Sequence, residues 1–496
     1  ANALALAAIL TVFTGGKHAR RYAMGALVFI VIIAGSLYLA RNSSLVQNNH
    51  VLQRVASISL ADGQTRFTIW SMAWEGVKDR PLTGYGQEGF NYIFNTYYDP
   101  SLHAQEPWFD RAHNAFIDWL AAGGLPAFLL YVSLFISAIV MLWRSSALSR
   151  PERIALTAVL AGYAVHNLFV FDNLYSYIYF FAILSLIDSQ VARPHKRLEE
   201  APTLEAEAGM TYALPIAAVA AIVLIWTVNV PGMRVASTLI TALTPAVAGI
   251  GANIAVFEDL VAHPSFAAQE IREQLVSFAS SVAQSPSATN EEKQRAVALA
   301  VVEMQRQVMA YPLDAREHLQ LSYAYRVAGD GVSALEEIRA ASKLSPKKES
   351  MWIEAGALAW DSGDVKAAQA DFAQAYALGP QFTELATYAA AGNIAIGDTA
   401  AADKILLAAY GTTVVDNDVL AVAYYRTKDW PRLTGIWKLR TSAPGASAEA
   451  WFGLAASYYA AGDFANAITT INKAVALFPE AAASGAAAIS QIQAKQ

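Results

Sequence analysis

Residues 109–143 read FDRAHNAFIDWLAAGGLPAFLLYVSLFISAIVMLW. The front of this stretch carries Asp110, Arg111, His113 and Asn114, and an apolar run begins at Leu125. A helix that crosses the hydrocarbon core of a bilayer needs about 20 mostly apolar residues. The stretch therefore predicts a membrane-spanning helix with polar and basic side chains at its entrance.

The composition extends this prediction to the first half of the chain. Of its 496 residues, 55 % are hydrophobic and 15 % are charged, whereas a soluble chain carries about a quarter charged residues. The hydrophobic excess lies before residue 231. The net charge of −6 provides no basic field to recruit nucleic acid. The lack of cysteine excludes disulfides, thiolate metal sites and a cysteine nucleophile.

Hydrophobic runs predict six membrane spans. They cover residues 1–14, 22–40, 125–143, 153–171, 174–190 and 211–230. The chain begins at Ala1, without Met and already within an apolar run, so we expect a fragment that starts inside a membrane helix.

The orientation follows from basic residues in the short loops, which favour the cytoplasmic side. Three basic clusters lie between or after the spans: Lys17, Arg20 and Arg21; Arg144, Arg150 and Arg153; and Arg193, Lys196 and Arg197. If six spans alternate, all three clusters face the same side. We therefore expect a multi-pass membrane protein with these clusters in the cytoplasm. Loop 41–124 and the residues after 231 then face the other side, which is the periplasm if the cell is Gram-negative.

The second half of the chain contains internal repeats. Pro312, Pro346 and Pro380 are 34 residues apart, as are the pairs that begin at Gly329 and Gly363. Together with regularly placed small residues, this pattern resembles the tetratricopeptide repeat. The predicted fold is all-α: a transmembrane helical domain over 1–190, a linker and last span over 191–231, a helical connector over 232–280 and a soluble α-solenoid over 281–496.

The repeat pattern is blurred near 400–445, where Trp430-Pro431 and Ala443-Pro444-Gly445 interrupt it. Such a solenoid is either a spacer or a concave surface that binds a protein or a glycan, and the pattern alone leaves both open.

Two short motifs resemble nucleotide-binding sequences but lack the surrounding structure that nucleotide binding requires. The GxGxxG of residues 84–89 indicates dinucleotide binding only between a strand and a helix, so we expect a tight turn here. Asp416-Asn417-Asp418 matches a metal-binding DxD, but it lies within the helical array. We expect loop or helix-capping aspartates.

Loop 41–124 carries more than a connector needs. Trp70, Trp74 and Val77 have helical spacing, which predicts an amphipathic helix over 65–79 on the membrane surface. The loop also contains an Arg shortly before a Trp, a Pro-Leu-x-Gly-x-Gly turn, a His-Asn-x-Phe sequence and a Gly before the next span. These positions are Arg66, Trp70, Pro81–Gly86, His113–Phe116 and Gly123-Gly124. In this order they resemble the O-antigen ligase and polymerase superfamily, over about residues 1–190.

The resemblance implies a lipid-linked glycosyltransferase. Its donor would be a glycan on undecaprenyl diphosphate, and its acceptor a hydroxyl of a lipid A–core sugar, a growing glycan or a protein. Neither a metal nor a cofactor is implied. A glycan polymerase and a protein O-oligosaccharyltransferase remain alternatives of the same fold, and a non-catalytic membrane scaffold that acts through its repeats is an alternative of another class.

The chemistry of this reaction selects the candidate residues. A departing diphosphate gains negative charge, which the planar guanidinium of Arg66, Arg111 or Arg80 can meet with paired hydrogen bonds. His113 is the candidate base for the acceptor hydroxyl, or else a donor to the diphosphate. Asn114 is expected to orient the pocket. His166 lies in a predicted span, where polar residues are usually functional; an interhelical hydrogen bond is its alternative role, as headgroup anchoring is for Arg66.

Overall fold

The computed structural model describes residues 2–56, 63–105, 107–191, 209–263 and 265–495. Within these ranges all regular secondary structure is helical, which confirms the predicted all-α class. The chain divides into two compact units, Ala1–Arg234 and Val235–Gln496, here called the membrane unit and the repeat unit. The basic cluster at 193–197 lies outside the described residues, as does most of the predicted linker before the last span.

The membrane unit contains the long apolar helices. Its helices are α1 Asn2–Thr14, α2 Lys17–Leu39, α3 Ser44–Gln47, α4 His50–Ala56, α5 Gln64–Asp79, α6 Phe90–Tyr97, α7 Ala115–Arg144, α8 Arg150–Asn167, α9 Leu174–Val191 and α10 Leu214–Leu243. A short π-helical turn, Gly209–Ala213, precedes α10. The boundary between the two units falls within α10.

The number of long apolar helices differs from the prediction. Among the described residues, four helices are long and apolar enough to cross a membrane: Lys17–Leu39, Ala115–Arg144, Leu174–Val191 and Gly209–Leu243. Ala3–Thr14 is apolar but shorter. The predicted span at 153–171 is instead α8, which ends at Asn167 and begins with Arg150, Glu152 and Arg153. These charged residues lower its apolar content, although its middle packs into the bundle.

Helices α1, α7 and α8 give the membrane unit two distinct ends. The Arg150 side chain donates to the carbonyl of Thr14 at 2.7 Å, and the Arg20 Nε donates to the carbonyl of Gly15 at 2.8 Å. Residues from two of the basic clusters therefore meet where α1 ends and α8 begins. At the other end of α8, the Val170 carbonyl accepts the N–H of Ala115, the first residue of α7, at 3.3 Å.

The repeat unit is a succession of antiparallel helix pairs. Its helices are α11 Ile250–Ala262, α12 Ala268–Gln284, α13 Asn290–Ala310, α14 Ala315–Val327, α15 Gly331–Leu344, α16 Glu349–Asp361, α17 Val365–Leu378, α18 Thr383–Ala395, α19 Thr399–Tyr410, α20 Asp418–Arg426, α21 Trp430–Ser442, α22 Ala448–Ala460, α23 Phe464–Leu477 and α24 Ala482–Gln493. A continuous core with Phe257, Leu275, Ala296 and Leu321 joins α11–α14.

One turn recurs within the pairs. An aspartate caps the second helix, and its N–H donates to a carbonyl of the first helix at 2.9 Å in five turns of the described repeat unit, at Asp330, Asp364, Asp398, Asp429 and Asp463. The residue before the aspartate has a positive φ: Gly329 (79°), Gly363 (90°), Gly397 (84°), Lys428 (61°) and Gly462 (79°). Glycine suits this left-handed conformation, and at 428 a lysine adopts it.

The expected interruption near 400–445 is accommodated. Pro431 lies in the first turn of α21, where proline is tolerated because its missing N–H has no helical partner. The Arg440 guanidinium donates to both Asp416 and Asp418 at 2.6 Å, and Asn417 caps α20. The DxD residues therefore form an ion pair and a helix cap.

Candidate active site

Helix α7 is broken where it enters its apolar run. Gly123 and Gly124 are non-helical, and Gly124 has φ 65° and ψ −165°. A regular helix would pair the Ala121 carbonyl with the N–H of Leu125, but Pro126 has no N–H for the Ala122 carbonyl. The break therefore releases two carbonyl groups toward the neighbouring chain.

The turn at residues 81–86 pairs with the groups that the break releases. The hydrogen bonds run from Tyr85 N to Ala121 O at 2.8 Å, from Gly86 N to Ala122 O at 2.8 Å and from Leu125 N to Pro81 O at 2.7 Å. A Cβ on Gly84 would lie 2.5 Å from the Ala122 carbonyl, and Gly84 has φ 61°. The motif first noted as GxGxxG thus contains a tight turn, as expected, and the turn is docked on α7.

A small hydrophobic core supports this arrangement. Helix α5 buries Ile69, Met72 and Val77 against a cluster that includes Phe94 and Phe109. Trp74, one of the residues that predicted an amphipathic helix, is 57 % exposed, so the placement of this helix on the membrane surface stays a prediction. The segment from α5 to Asn114 is a folded layer over the entrance of α7.

Trp70 links α5 to the polar stretch before α7. Its indole N–H donates to the carbonyl of Ala112 at 2.9 Å, and its ring lies 6.3 Å from that of Phe169. The sequence favoured an interfacial anchor for Trp70. In the structure, its polar atom fixes the backbone immediately before His113.

Arg111 is half-buried, and its guanidinium lies over the ring of Phe171 at 5.4 Å. It forms an ion pair with Glu88, which follows the 81–86 turn and has a φ of 61° that is unusual for a non-glycine residue. Arg111 therefore points into the space between the turn and α7, with one counter-ion already present.

His113 also contacts Phe171. Its ring centroid lies 5.5 Å from that of Phe171 and 5.8 Å from that of Phe109. The backbone of His113 is left-handed, with φ 53°. Such a conformation costs of order 1 kcal/mol or more and is concentrated at functional sites. Arg111 and His113 thus converge on one aromatic ring.

Asn114 and Asp118 fix the start of α7. The Asn114 side chain is buried and accepts the N–H groups of Phe116 and Ile117 at 3.0 and 3.2 Å. The Asp118 Oδ1 accepts the N–H of Ala112 at 2.7 Å. These contacts hold residues 112–114 in place, so Asn114 acts on the site by positioning its backbone.

Two adjoining clefts open beside Arg111. The first, here called the turn cleft, lies between residues 86–90 and α7 and includes Glu88 and Asp110. The second, the span cleft, is lined by Trp119, Asp172 and Tyr177. Gln87, Arg111 and Asp118 line both clefts. The shared wall brings a cation, an amide and a carboxylate together at the entrance of a membrane helix.

Two segments of the chain match known protein families. Residues 1–132 match the O-antigen ligase family, and residues 448–481 match the tetratricopeptide repeat. The chain carries an O-antigen ligase domain and a tetratricopeptide repeat. No curated protein sequence matches the chain.

Solved structures with some similarity to the chain have low sequence identity and low TM-scores. MamA protein is 12 % identical, with 42 % of this chain and 94 % of that chain covered and a TM-score of 0.23. A tetratricopeptide protein of Thermus thermophilus, TTC0263, is 13 % identical, with 45 % and 98 % covered and a TM-score of 0.24. Yeast Tom70 is 10 % identical, with 87 % and 96 % covered and a TM-score of 0.30.

The other two candidate arginines, Arg66 and Arg80, lie at the two ends of α5. Arg66 is exposed in the first turn of α5, four residues before Trp70, and thus on the same helix face. Arg80 is exposed at the end of α5, with its guanidinium 4.6 Å from the centroid of the Tyr85 ring. Neither side chain lines the two clefts described above.

A network that sequence reasoning missed lies behind the span cleft. Asp172 accepts from Tyr131 at 2.7 Å, from Asn167 at 3.0 Å and from Tyr163. His166 was the candidate in this helix, but it is exposed, whereas the adjacent Asn167 is 1 % exposed. The signal was available, because asparagine and aspartate beside apolar runs are expensive unless they are paired.

The match to the ligase family supports a ligase- or polymerase-type membrane glycosyltransferase. The match ends at residue 132, so His166 and Asp172 lie beyond it, although the sequence resemblance extends to about residue 190.

Tyr97, in the layer before α7, donates to Asp79. This hydrogen bond, with burial adding to it, raises the pKa of Tyr97 to about 12, so its hydroxyl remains a donor at neutral pH.

Proposed function

We propose that the chain transfers a glycan from undecaprenyl diphosphate to an acceptor hydroxyl on the periplasmic face of the bacterial inner membrane. The observation that carries this proposal is the convergence of Arg111 and His113 on Phe171 beside two clefts. The clefts open where α7 enters its apolar run, so a substrate that is half lipid and half sugar can present its diphosphate there.

The side chains present suit the charge that the reaction develops. As the bond from the anomeric carbon to the diphosphate breaks, negative charge grows on the departing oxygen. Arg111 can meet it with charge-assisted hydrogen bonds, and in a partly dehydrated cleft such bonds are worth more than in water. Arg66 and Arg80 would then act farther out, on phosphate or lipid headgroups. His113 either accepts the hydroxyl proton or donates to the diphosphate.

The two ends of the membrane unit support the proposed orientation. Arg20 and Arg150 lie together at one end of α1 and α8, whereas the clefts lie at the beginning of α7, near the opposite end of α8. Since basic loop residues favour the cytoplasm, the clefts would face the periplasm. This argument uses two of the three basic clusters identified in the sequence.

We also propose that the countercharge comes from arginine and not from a metal ion. The described residues contain no group of three or more histidine, cysteine, aspartate or glutamate side chains that could hold a metal. Transfer by the purified chain should therefore continue in EDTA. Loss of turnover on chelation, with recovery on adding a divalent cation, would reject this part of the proposal.

The acceptor is the least determined part of the proposal. An O-antigen ligase would use a lipid A–core sugar, a polymerase a growing glycan, and a protein O-oligosaccharyltransferase a side-chain hydroxyl. The repeat unit fits a protein partner, which is compatible with each of these. Parallel assays with lipid A–core, free glycan and protein acceptors would separate them.

The decisive test is the change His113→Ala in the full chain, reconstituted in vesicles with an undecaprenyl-diphosphate-linked oligosaccharide. We expect transfer to fall by about 10²- to 10⁴-fold, the range for a lost acid–base group. His50→Ala, which alters an exposed histidine at the start of α4, is the matched control.

A membrane scaffold predicts the reverse result. In that case His113→Ala would leave glycan transfer in cells intact, and removal of residues 281–496 would abolish it. If the purified wild-type chain neither binds nor consumes the lipid-linked donor, the enzymatic proposal is wrong.

A further inference from the structure

Asp118 has one carboxylate oxygen engaged and one available. Oδ1 accepts the N–H of Ala112 at 2.7 Å. Oδ2 is buried and has no hydrogen-bond partner among the residues that the structure describes. Burial of an acceptor without a donor costs free energy. A substrate group that donates to Oδ2 would recover that cost.

The location of Asp118 determines which donor can reach it. The side chain lines both the turn cleft and the span cleft, and Arg111 lines both beside it. The Arg111 charge attracts the carboxylate, whereas the charges of Asp172 and Glu88 repel it. Asp118 is therefore a proton acceptor next to the cation that would hold the diphosphate.

Two of the other acidic side chains that line these clefts, Glu88 and Asp172, are already engaged. Glu88 forms its ion pair with Arg111 and is largely exposed. Asp172 accepts hydrogen bonds from two tyrosines and from Asn167. The His113 ring lies between Phe109 and Phe171 and lines neither of the two clefts. Asp118 thus offers a carboxylate oxygen without a donor on the wall that the two clefts share.

We propose that Asp118, and not His113, takes the proton of the acceptor hydroxyl, an inference that rests on the proposed glycosyl transfer. The hydroxyl oxygen bonds to the anomeric carbon while its proton moves to Oδ2 of Asp118. The bond from the anomeric carbon to the diphosphate breaks, and its electron pair leaves with the polyprenyl diphosphate. Arg111 meets the resulting charge. Asp118 later returns its proton to water.

The change Asp118→Asn separates this role from a structural one. Asparagine keeps an oxygen for the Ala112 N–H, so the backbone before His113 retains its hydrogen bond, but it removes the proton acceptor. We expect kcat to fall by about 10²- to 10⁴-fold, while binding of undecaprenyl diphosphate to the full chain in vesicles changes less than threefold. Asp118→Glu should recover part of the turnover.

Glu75→Gln is the matched control, because Glu75 is an exposed carboxylate of α5 that pairs with Lys78 and lines neither cleft. Turnover of Asp118→Asn within threefold of wild type would overturn the inference and leave the proposed function standing. Loss of undecaprenyl diphosphate binding in this variant would also overturn it, in favour of a structural role. A wild-type chain that does not consume the donor would remove both proposals together.

Discussion

In the repeat unit, Arg339 donates to both carboxylate oxygens of Asp371, whose side chain is 6 % exposed. In the membrane unit, Arg111 pairs with Glu88, whose side chain is 61 % exposed. Both pairs join an arginine to a carboxylate, but the first pair closes a helix–helix contact and the second borders two clefts. The comparison teaches that an arginine is a candidate for binding when its counter-ion is exposed and displaceable.

The largest expected effects come from removing the two arginines. Arg111→Ala should reduce glycan transfer by at least about 10²-fold, because charge on the leaving group loses its partner, with little change in stability. Arg339→Ala should leave transfer nearly unchanged but destabilise the repeat unit by about 2 to 4 kcal/mol, because a buried carboxylate loses its cation. Transfer assays and urea unfolding of both variants would check this. Equal effects of the two changes on transfer would break the comparison.

Substitution of Glu317 measures the free energy that a buried carboxylate without a neutralising partner costs the repeat unit. Its side chain is 0 % exposed, and burial, followed by the Glu273 and Asp314 carboxylates, raises its pKa to about 8. The folded state then holds a proton that the unfolded state releases above about pH 4.5. The stability that this bound proton contributes is fully present below pH 4.5 and is lost as the pH rises toward 8.

Glu317→Gln should remove that pH dependence. At pH 8.5 the variant should be more stable by about 2 to 4 kcal/mol, and near pH 4 it should match the wild type. Urea unfolding of the full chain, followed by circular dichroism, measures this. Glu336→Gln, at an exposed position of α15, is the control. A wild-type stability that increases from pH 5 to 8 relative to Glu317→Gln would contradict the prediction.

Glu88 provides a smaller test in the membrane unit. In the absence of a diphosphate, the Glu88 carboxylate forms an ion pair with the Arg111 guanidinium. A phosphorylated ligand must therefore compete with Glu88 for Arg111. Glu88→Gln should therefore tighten binding of undecaprenyl diphosphate by about three- to tenfold, the equivalent of roughly 1 kcal/mol for an exposed ion pair. The measurement is binding in vesicles at low salt, with Glu75→Gln as control. Weaker binding would indicate that Glu88 itself contacts the substrate.

Lys428 gives the smallest effect. It adopts the left-handed conformation that glycine adopts in the equivalent turns, so Lys428→Gly should stabilise the repeat unit by about 0.5 kcal/mol after the added unfolded-state entropy is counted. Gly397→Ala should destabilise it by about 1 kcal/mol. The urea midpoint distinguishes the two changes, and stabilisation by Gly397→Ala would refute the argument.

The sequence predicted the architecture because periodicity is local. The helices followed from the apolar runs and the repeats from the 34-residue interval. The ligase domain followed from the order of Arg66, Trp70 and His113. All three are patterns that can be read along the chain without knowing its contacts. The apolar face of α5 could not be assigned in this way, since lipid and a protein core select the same spacing. Only the packing of Ile69 and Met72 distinguishes them.

The site was harder to predict than the fold for the same reason. His166 and Asn167 differ by one position, which is about 100° around a helix, so the sequence could not tell which faces Asp172. Asp118 carried no motif. Its importance arises from the Ala112 N–H and from two clefts that exist only after residues 86–90 pack on α7.

The docking of the 81–86 turn on broken helix α7 has an evolutionary consequence. A side chain at position 84 would collide with the Ala122 carbonyl at 2.5 Å, and one at position 124 with the Pro81 carbonyl at 2.6 Å. Each glycine therefore makes room for the other segment, and neither can be replaced without refitting its partner. Replacing both glycines would add the two clashes, so relatives that keep this docking should retain glycine at both sites, which are 40 positions apart.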